Sequence, residues 1–473
     1  MNLLESGRRW RGKVLSRREL LGRVGGGFGA LALSSLLHGQ EARPAMHRRP
    51  KAQRVVQLFM NGGVSQMDTF DYKPELFRRH GQKVDFGLKV AVTSVPGAVM
   101  KPPFEFRRHG GCGRWVSTVF PRMAEHVDDM AFLMAMASKS NVHGPASYMQ
   151  NTGFVLPGFP AMGAWVSYAL GSLTKNLPGF VVLPDPAGLP YNQTSNFGAG
   201  FLPVAHQGTV IKPSAPIPIA NLRPPATAKH VTPQSEADGL ALVQELNRDH
   251  LEAHPGDTRL EARIASYELA ARMQLSAPEV LEISGEPDSI REMYGVNAKE
   301  TAGFGRNCLI ARRLLERDVR FVQVWSGTGG ASKNWDNHTN IATELPYIAR
   351  QVDGPAAALL ADLKQRGMLE DTLVVWTTEF GRMPFTQGET GRDHNAGTFV
   401  TWMAGGGVRG GVAYGESDEF AYQAATGKTY CYDLHATILH LLGIDHERLS
   451  VRHNGIDRRL TDVHGHVITE ILA

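Results

Sequence analysis

The chain has 473 residues, 42% apolar and 20% charged, a balance that fits a soluble globular protein with enough length for one large core or two smaller ones. Its formal charge of +4 is concentrated at the start: the first 50 residues hold ten of the 50 Lys/Arg but only three of the 46 Asp/Glu. The rest is close to neutral, which excludes a general polyanion binder and argues against nucleic acid as a partner.

Ser16-Arg17-Arg18-Glu19-Leu20-Leu21 is a twin-arginine pattern, preceded by Arg8, Arg9, Arg11 and Lys13 and followed by a Gly-rich apolar stretch from Val24 to Leu37. That stretch is too short and too rich in glycine to span a bilayer, so it reads as an export signal. Residues 1–45 are expected to be signal and linker, with cleavage near Glu41–Ala45. The twin-arginine translocase would be a partner during export, and the periplasm or cell envelope the destination. Residues 46–473 are expected to form one α/β domain with no membrane span.

Arg54–Met60 is an apolar run ending at Asn61-Gly62-Gly63, a strand followed by a turn. Met130–Met136 and Gly179–Leu183 read as further strands, and the Met residues of the former as core. Ala161–Leu170 has helical periodicity, and about 234–294 is a charged, helical excursion. Gly303–Glu316 is again helical, Arg320–Trp325 a strand, Gly354–Arg366 a helix, Thr372–Thr377 a strand and Leu434–Leu442 a helix. Continuous apolar strands alternating with helices predict a doubly wound, mostly parallel sheet with helices on both faces. Cys112, Cys308 and Cys431 lie too far apart for a disulfide framework or a zinc ribbon, though one disulfide would be compatible with export.

The polar clusters fall where such a sheet binds ligands, outside the carboxyl ends of its strands. Asn61 follows the first strand, Trp335-Asp336-Asn337-His338 lies in a loop beyond another, and Glu379 closes a third. Gly391-Arg392-Asp393-His394-Asn395 is a second Asp-His pair in a stretch that reads as flexible. Each cluster alone suits a solvated loop. Their recurrence at the mouths of successive strands points to a divalent cation such as zinc, manganese or calcium, with Asp336, His338, Glu379, Asp393, His394 and Asn61 as candidate ligands. Asp68 and Asp71 read as turn residues or ligands, Asp433 as a helix cap, and His435 and His440 as structural.

Gly62–Pro74, Trp335-Asp336, Glu379–Arg382, Gly391–His394 and Asp433–Leu439 resemble, in order, the motifs of an exported bacterial family abundant in planctomycetes, domain of unknown function 1501. That family is similar to the alkaline phosphatase and sulfatase superfamily. The resemblance implies a central, mostly parallel sheet flanked by helices, with a metal site at the strand ends. Within His143-Gly-Pro145 and Thr152-Gly153, His143 falls where sulfatases carry their nucleophilic Cys, which excludes cysteine chemistry and leaves nucleophile, ligand or general base, of which ligand or base is favoured. Asn61 and Glu379-Phe380 resemble a first phosphatase metal site, weakened because Phe380 cannot ligate. Asp336, His338 and His394 resemble an intact second site, so one ion is expected. The implied activity is hydrolysis of phosphate or sulfate esters by metal-bound water, with Arg382 or Arg392 clamping an anionic ester, small molecule or glycan. The alternative is a non-catalytic envelope protein that keeps the fold and binds a partner.

Overall fold

In the computed structural model, residues 46–85, 96–219, 232–254, 264, 277–330 and 333–473 are described; the twin-arginine segment lies outside them. Eight strands form the main sheet: β1 (Arg54–Met60), β2 (Met130–Met136), β3 (Phe180–Leu183), β4 (Thr209–Val210), β5 (Phe321–Ser326), β6 (Thr372–Thr377), β9 (Phe399–Ala404) and β10 (Val412–Tyr414). Between β6 and β9 runs an antiparallel hairpin, β7 (Gly381–Gln387) and β8 (Gly391–Asn395). The sheet order is β10-β2-β9-β6-β1-β5-β3-β4, parallel throughout except for β9. β1 is central, its Val55–Met60 in register with Phe321–Ser326 on one side and Arg54–Phe59 with Thr372–Thr377 on the other.

The continuous apolar runs form these strands because each is covered on both faces. Val56, Leu58, Val322, Val324, Val374 and Trp376 point into one cluster, with helices α4 (Ala302–Glu316) and α5 (Ile341–Gln365) closing it. The alternate residues, among them Val55, Phe59, Trp325, Leu373 and Val375, point into a second cluster under α2 (Met162–Leu170) and α6 (Cys431–Leu441). Of the charged excursion, the described part includes helix α3 (Pro233–Ala253) and Asp288–Met293; residues 258–274 fall almost wholly outside the described residues. Among the described residues, no helix is long and apolar enough to cross a membrane.

Two expectations need correction, and the disulfide left open by the sequence is absent. Helix α5 starts at Ile341, thirteen residues before the predicted Gly354, and runs through Pro346 and Pro355. An internal proline costs about 3 kcal/mol, but Leu345, Ile348, Val352 and Leu359 are buried in the first cluster and each contributes about 1.5–3 kcal/mol. Gly391–Asn395 is a buried strand rather than a flexible stretch. All three cysteines are free, Cys112 exposed and the others buried, so they form no disulfide.

A polar tie inside the sheet sets the position of α1 (His143–Thr152), whose helical state the sequence did not reveal. Gln323 Nε2 donates to Gln57 Oε1 at 2.8 Å and to Asn151 Oδ1 at 2.7 Å, and Gln150 Nε2 donates to Thr377 Oγ1 at 2.9 Å. His435 on α6 adds a bond from Nε2 to the Gln150 carbonyl at 3.0 Å. Complete burial lowers the His435 pKa to about 4, so the folded protein holds it neutral. Its folded pKa lies below its unfolded value of 6.5. The stabilisation is therefore present above pH 6.5 and lost as pH falls through 6.5 towards 4, by about 3 kcal/mol at most. Urea unfolding of wild type and His435→Gln between pH 7.5 and 4.5 checks this: the wild type should lose more stability than the variant, and parallel curves would disprove it.

Candidate metal centre

The carboxyl ends of three adjacent strands, β6, β1 and β5, build the site. β1 turns at Gly62, whose φ of +126° admits glycine; a Cβ there would sit 2.6 Å from the Trp335 nitrogen and 2.7 Å from that of Asp336. The loop after β5 can thus lie against the turn after β1, with Trp335 N donating to Asn61 O at 3.1 Å. Gly391 plays the same part on the other side, since a Cβ there would be 1.6 Å from the His338 carbonyl oxygen.

Four side chains converge: His143 from the first turn of α1, Asp336 and His338 from the loop after β5, and His394 from β8. Their ligand atoms all lie within 4.8 Å of one another. Asp336 Oδ1 is 3.2 Å from His143 Nε2, 2.7 Å from His338 Nε2 and 3.1 Å from His394 Nε2. His338 Nε2 and His394 Nε2 are 2.8 Å apart. On every ring the other nitrogen meets an acceptor: Glu379 Oε1 at 2.6 Å for His143, Gln387 Oε1 for His338, and the Asn141 carbonyl at 2.8 Å for His394. Each Nδ1 therefore keeps the proton, and three Nε2 lone pairs face one carboxylate oxygen. Outer acceptors orient imidazoles in this way in metal sites.

These residues fit a divalent cation. His143 Nε2 is buried with the Asp336 carboxylate 3.2 Å in front of it, and Nε2 atoms 2.8 Å apart without protons repel unless something positive lies among them. Four donors around a tetrahedral ion at ~2.0–2.2 Å would stand roughly 3.3 Å apart, close to the spacings here. Burial opposes the Asp336 charge, but His143, His338 and His394, which hydrogen-bond to it whenever their Nε2 atoms carry a proton instead of facing an ion, and the Arg382 charge outweigh it and hold the carboxyl well below its usual range. Burial, aided by the Arg382 and His143 charges and opposed by the Asp336 hydrogen bond, lowers His394 to about 4, leaving it neutral and free to ligate at neutral pH. For His143 burial is overcome by the Asp336 and Glu379 carboxylates, which raise its pKa, so proton and cation compete for its Nε2.

Other sequence candidates lie near these four without joining them. Glu379 is fully buried and spends Oε1 on His143 and on the Gly62 N–H at 2.8 Å, which makes it a holder of a ligand. Asn61 turns its Nδ2 to the Thr328 carbonyl at 2.8 Å. Asp393 sits where the hairpin register slips between Arg392 and His394, and its Oδ1 accepts the His394 N–H at 2.7 Å. The bulge separates the side chains of neighbours that the sequence treats as a pair.

The two arginines expected to clamp an anion are fully buried and engaged elsewhere. Arg382 donates from Nε to Gly63 O at 2.7 Å, from Nη1 to Arg392 O at 3.1 Å, and from Nη2 to Gly62 O and, at 2.6 Å, to Asp336 Oδ1. Arg392 grips Asp68 in a two-pronged pair, Nε–Oδ2 2.6 Å and Nη2–Oδ1 3.1 Å, and also donates to Met100 O and Met383 O. Phe380, where the resemblance implied a lost ligand, packs against the rings of both His143 and His394 at 4.8 and 4.7 Å. The sequence reading missed Asp68 as a partner and Gln387 and Asn141 as acceptors. A Gln or a main-chain carbonyl carries no signature of that use.

A family profile described as "Protein of unknown function (DUF1501)" matches residues 52–472. No curated protein matches the chain. Solved structures that it resembles include the PsFucS1 sulfatase from Pseudoalteromonas sp., with a TM-score of 0.36 and 13% identity over 89% of this chain and 72% of that one. The alkaline phosphatase from the Antarctic bacterium TAB5 has a TM-score of 0.35 and 10% identity over 84% and 99%. The lipoteichoic acid synthase LtaP from Listeria monocytogenes has 0.36 and 9% over 88% and 78%.

Proposed function

We propose that this chain, which belongs to the DUF1501 family of proteins of unknown function, is an exported, metal-dependent hydrolase of phosphate or sulfate esters. One observation carries the reading: three imidazoles, each fixed at Nδ1 by its own acceptor, aim Nε2 at the Asp336 carboxylate. His143, Asp336, His338 and His394 would hold one cation, and three imidazoles favour zinc over manganese or calcium. Such a cation supplies a Lewis acid that polarises an ester oxygen and lowers the pKa of water from about 15.7 towards 7.

The chain's own residues do the rest. Glu379 keeps the proton on Nδ1 of His143 and so keeps Nε2 available. Arg382 holds Asp336 by a 2.6 Å bond and balances its charge. The His338 side chain, 29% exposed against 10% for His143 and His394, marks the side from which an anionic ester, small molecule or glycan would approach. The twin-arginine pattern at Ser16–Leu21 supports export to the periplasm or envelope. Strands drawn from Arg54 to Tyr414 into one sheet support a single domain over residues 46–473.

The engagement of Arg382 and Arg392 favours the second reading, an envelope protein that binds a partner without turnover. Metal content of the purified protein, together with hydrolysis of aryl phosphate and aryl sulfate, separates the two. The hydrolase reading expects about one equivalent of zinc and a turnover that falls at least 100-fold in His394→Ala. Bound metal without turnover on a broad ester panel would favour the binding protein. A folded protein that takes up neither zinc nor manganese would defeat the metal-centre reading.

A further inference from the structure

We propose that Tyr191 is a positioning residue of this metal centre: its ring fixes the plane of the His143 imidazole, and its hydroxyl ties that ligand to the loop carrying Asp336. The inference rests on the metal-centre reading. The bond from His143 Nδ1 to Glu379 anchors one corner of the ring and leaves it free to pivot, because the terminal torsion of a histidine side chain is broad. A ring stacked flat on the imidazole removes that freedom. The Tyr191 ring lies 4.5 Å from the His143 ring at an interplanar angle of 5°, whereas Phe380 meets it tilted, at 4.8 Å and 34°. With pivoting stopped, Nε2 stays pointed at Asp336.

The segment carrying Tyr191 is held in place at some conformational cost. Asn192 and Gln193 both have left-handed backbones, φ 61° and 51°, which residues with side chains rarely adopt in succession. Asn192 Nδ2 donates to the Gly144 carbonyl at 2.7 Å, one residue from His143, and Asn196 Nδ2 donates to the Tyr191 carbonyl. The Tyr191 hydroxyl donates to Gly330 O at 3.1 Å and accepts from Asn334 Nδ2 at 3.3 Å. Asn334 Oδ1 in turn accepts the Asp336 N–H at 3.1 Å. A second strut, Gly329 N to Leu189 O at 2.8 Å, runs beside it. Two ligands 193 positions apart in sequence are thereby braced through one side chain.

Tyr191 is partly exposed, so Tyr191→Leu removes the flat face without emptying a core position. Zinc affinity, measured by competition with a chromophoric chelator, should fall at least tenfold in Tyr191→Leu. Tyr191→Phe keeps the stack, loses the tie and should fall between wild type and Leu. In a His143→Ala background the Leu substitution should have little further effect, because its partner is gone; a purely structural residue would change melting temperature and leave zinc affinity alone. Wild-type affinity in folded Tyr191→Leu, or an equal loss with and without His143, overturns the proposal while leaving the metal centre standing. Failure of the wild type to bind zinc overturns both. Should the Leu variant fail to fold, Tyr191→Phe and Asn334→Ala decide: unchanged zinc affinity in both overturns the tie to the Asp336 loop.

Discussion

Asp336→Asn is expected to weaken zinc binding more than about 100-fold, since removal of an outer partner alone costs 10–100-fold and this change reaches the point where all four donors meet. Asparagine has nearly the same shape and can still accept the Arg382 bond seen at 2.6 Å, so the fold should survive. What disappears is the negative charge that three imidazole nitrogens approach within 2.7–3.2 Å. The amide also brings two N–H groups, which can replace an acceptor with a donor facing His338. Equilibrium dialysis of wild type and variant against buffered zinc, with unfolding curves for both, reads the result. A folded variant that binds zinc like the wild type would remove Asp336 from the centre.

The second large effect concerns stability. Asp68→Ala should cost about 3–5 kcal/mol, because it leaves the Arg392 guanidinium charged and fully buried without its counter-ion. Arg392 lies two positions before His394 on the same hairpin strand, so loosening it should also disturb a ligand. The double variant Asp68→Ala, Arg392→Met leaves no orphaned charge and should recover much of the loss, since an apolar replacement of a buried pair is often neutral. Urea unfolding of the two single variants and the double gives the coupling. A cost under 1 kcal/mol for Asp68→Ala would show that water reaches Arg392 and that the pair does not hold the hairpin.

Five of the eight strands of the main sheet and most helices were legible because their patterning is uniform, whereas the short β4 and β10 and the antiparallel β9 were not. Val-Val-Gln-Leu-Phe in β1 and Leu-Val-Val-Trp in β6 bury both faces, and helix α4 repeats its apolar positions at three and four. Helix α5 was half hidden, because Pro346 and Pro355 suggest a break that only packing against the sheet overrides. The hairpin was hidden for another reason. Its second strand, Gly-Arg-Asp-His-Asn, reads as a solvated loop until Arg392 finds Asp68 and Asn395 finds the Tyr422 carbonyl at 2.8 Å. In the candidate site, residue type and strand-end placement singled out Asp336, His338 and His394, and the resemblance to the sulfatase motif singled out His143. The spent guanidiniums depend on partners as much as 324 positions away, which one sequence does not display.

The four converging donors have a bearing on biogenesis. They span positions 143 to 394, and β8, which bears the last of them, is followed by β9, the strand that joins β2 to β6. A nascent chain has no such coordination sphere until nearly all of the sheet has been synthesised, and isolated pieces of it should have little affinity for the ion. Cation uptake would then report completed folding. Because the ion would bind the finished state and hardly the unfinished one, free metal at a hundred times Kd would add about 2.7 kcal/mol to the finished state alone. The same ion would act as a late-closing clasp on the chain and as a checkpoint for its maturation.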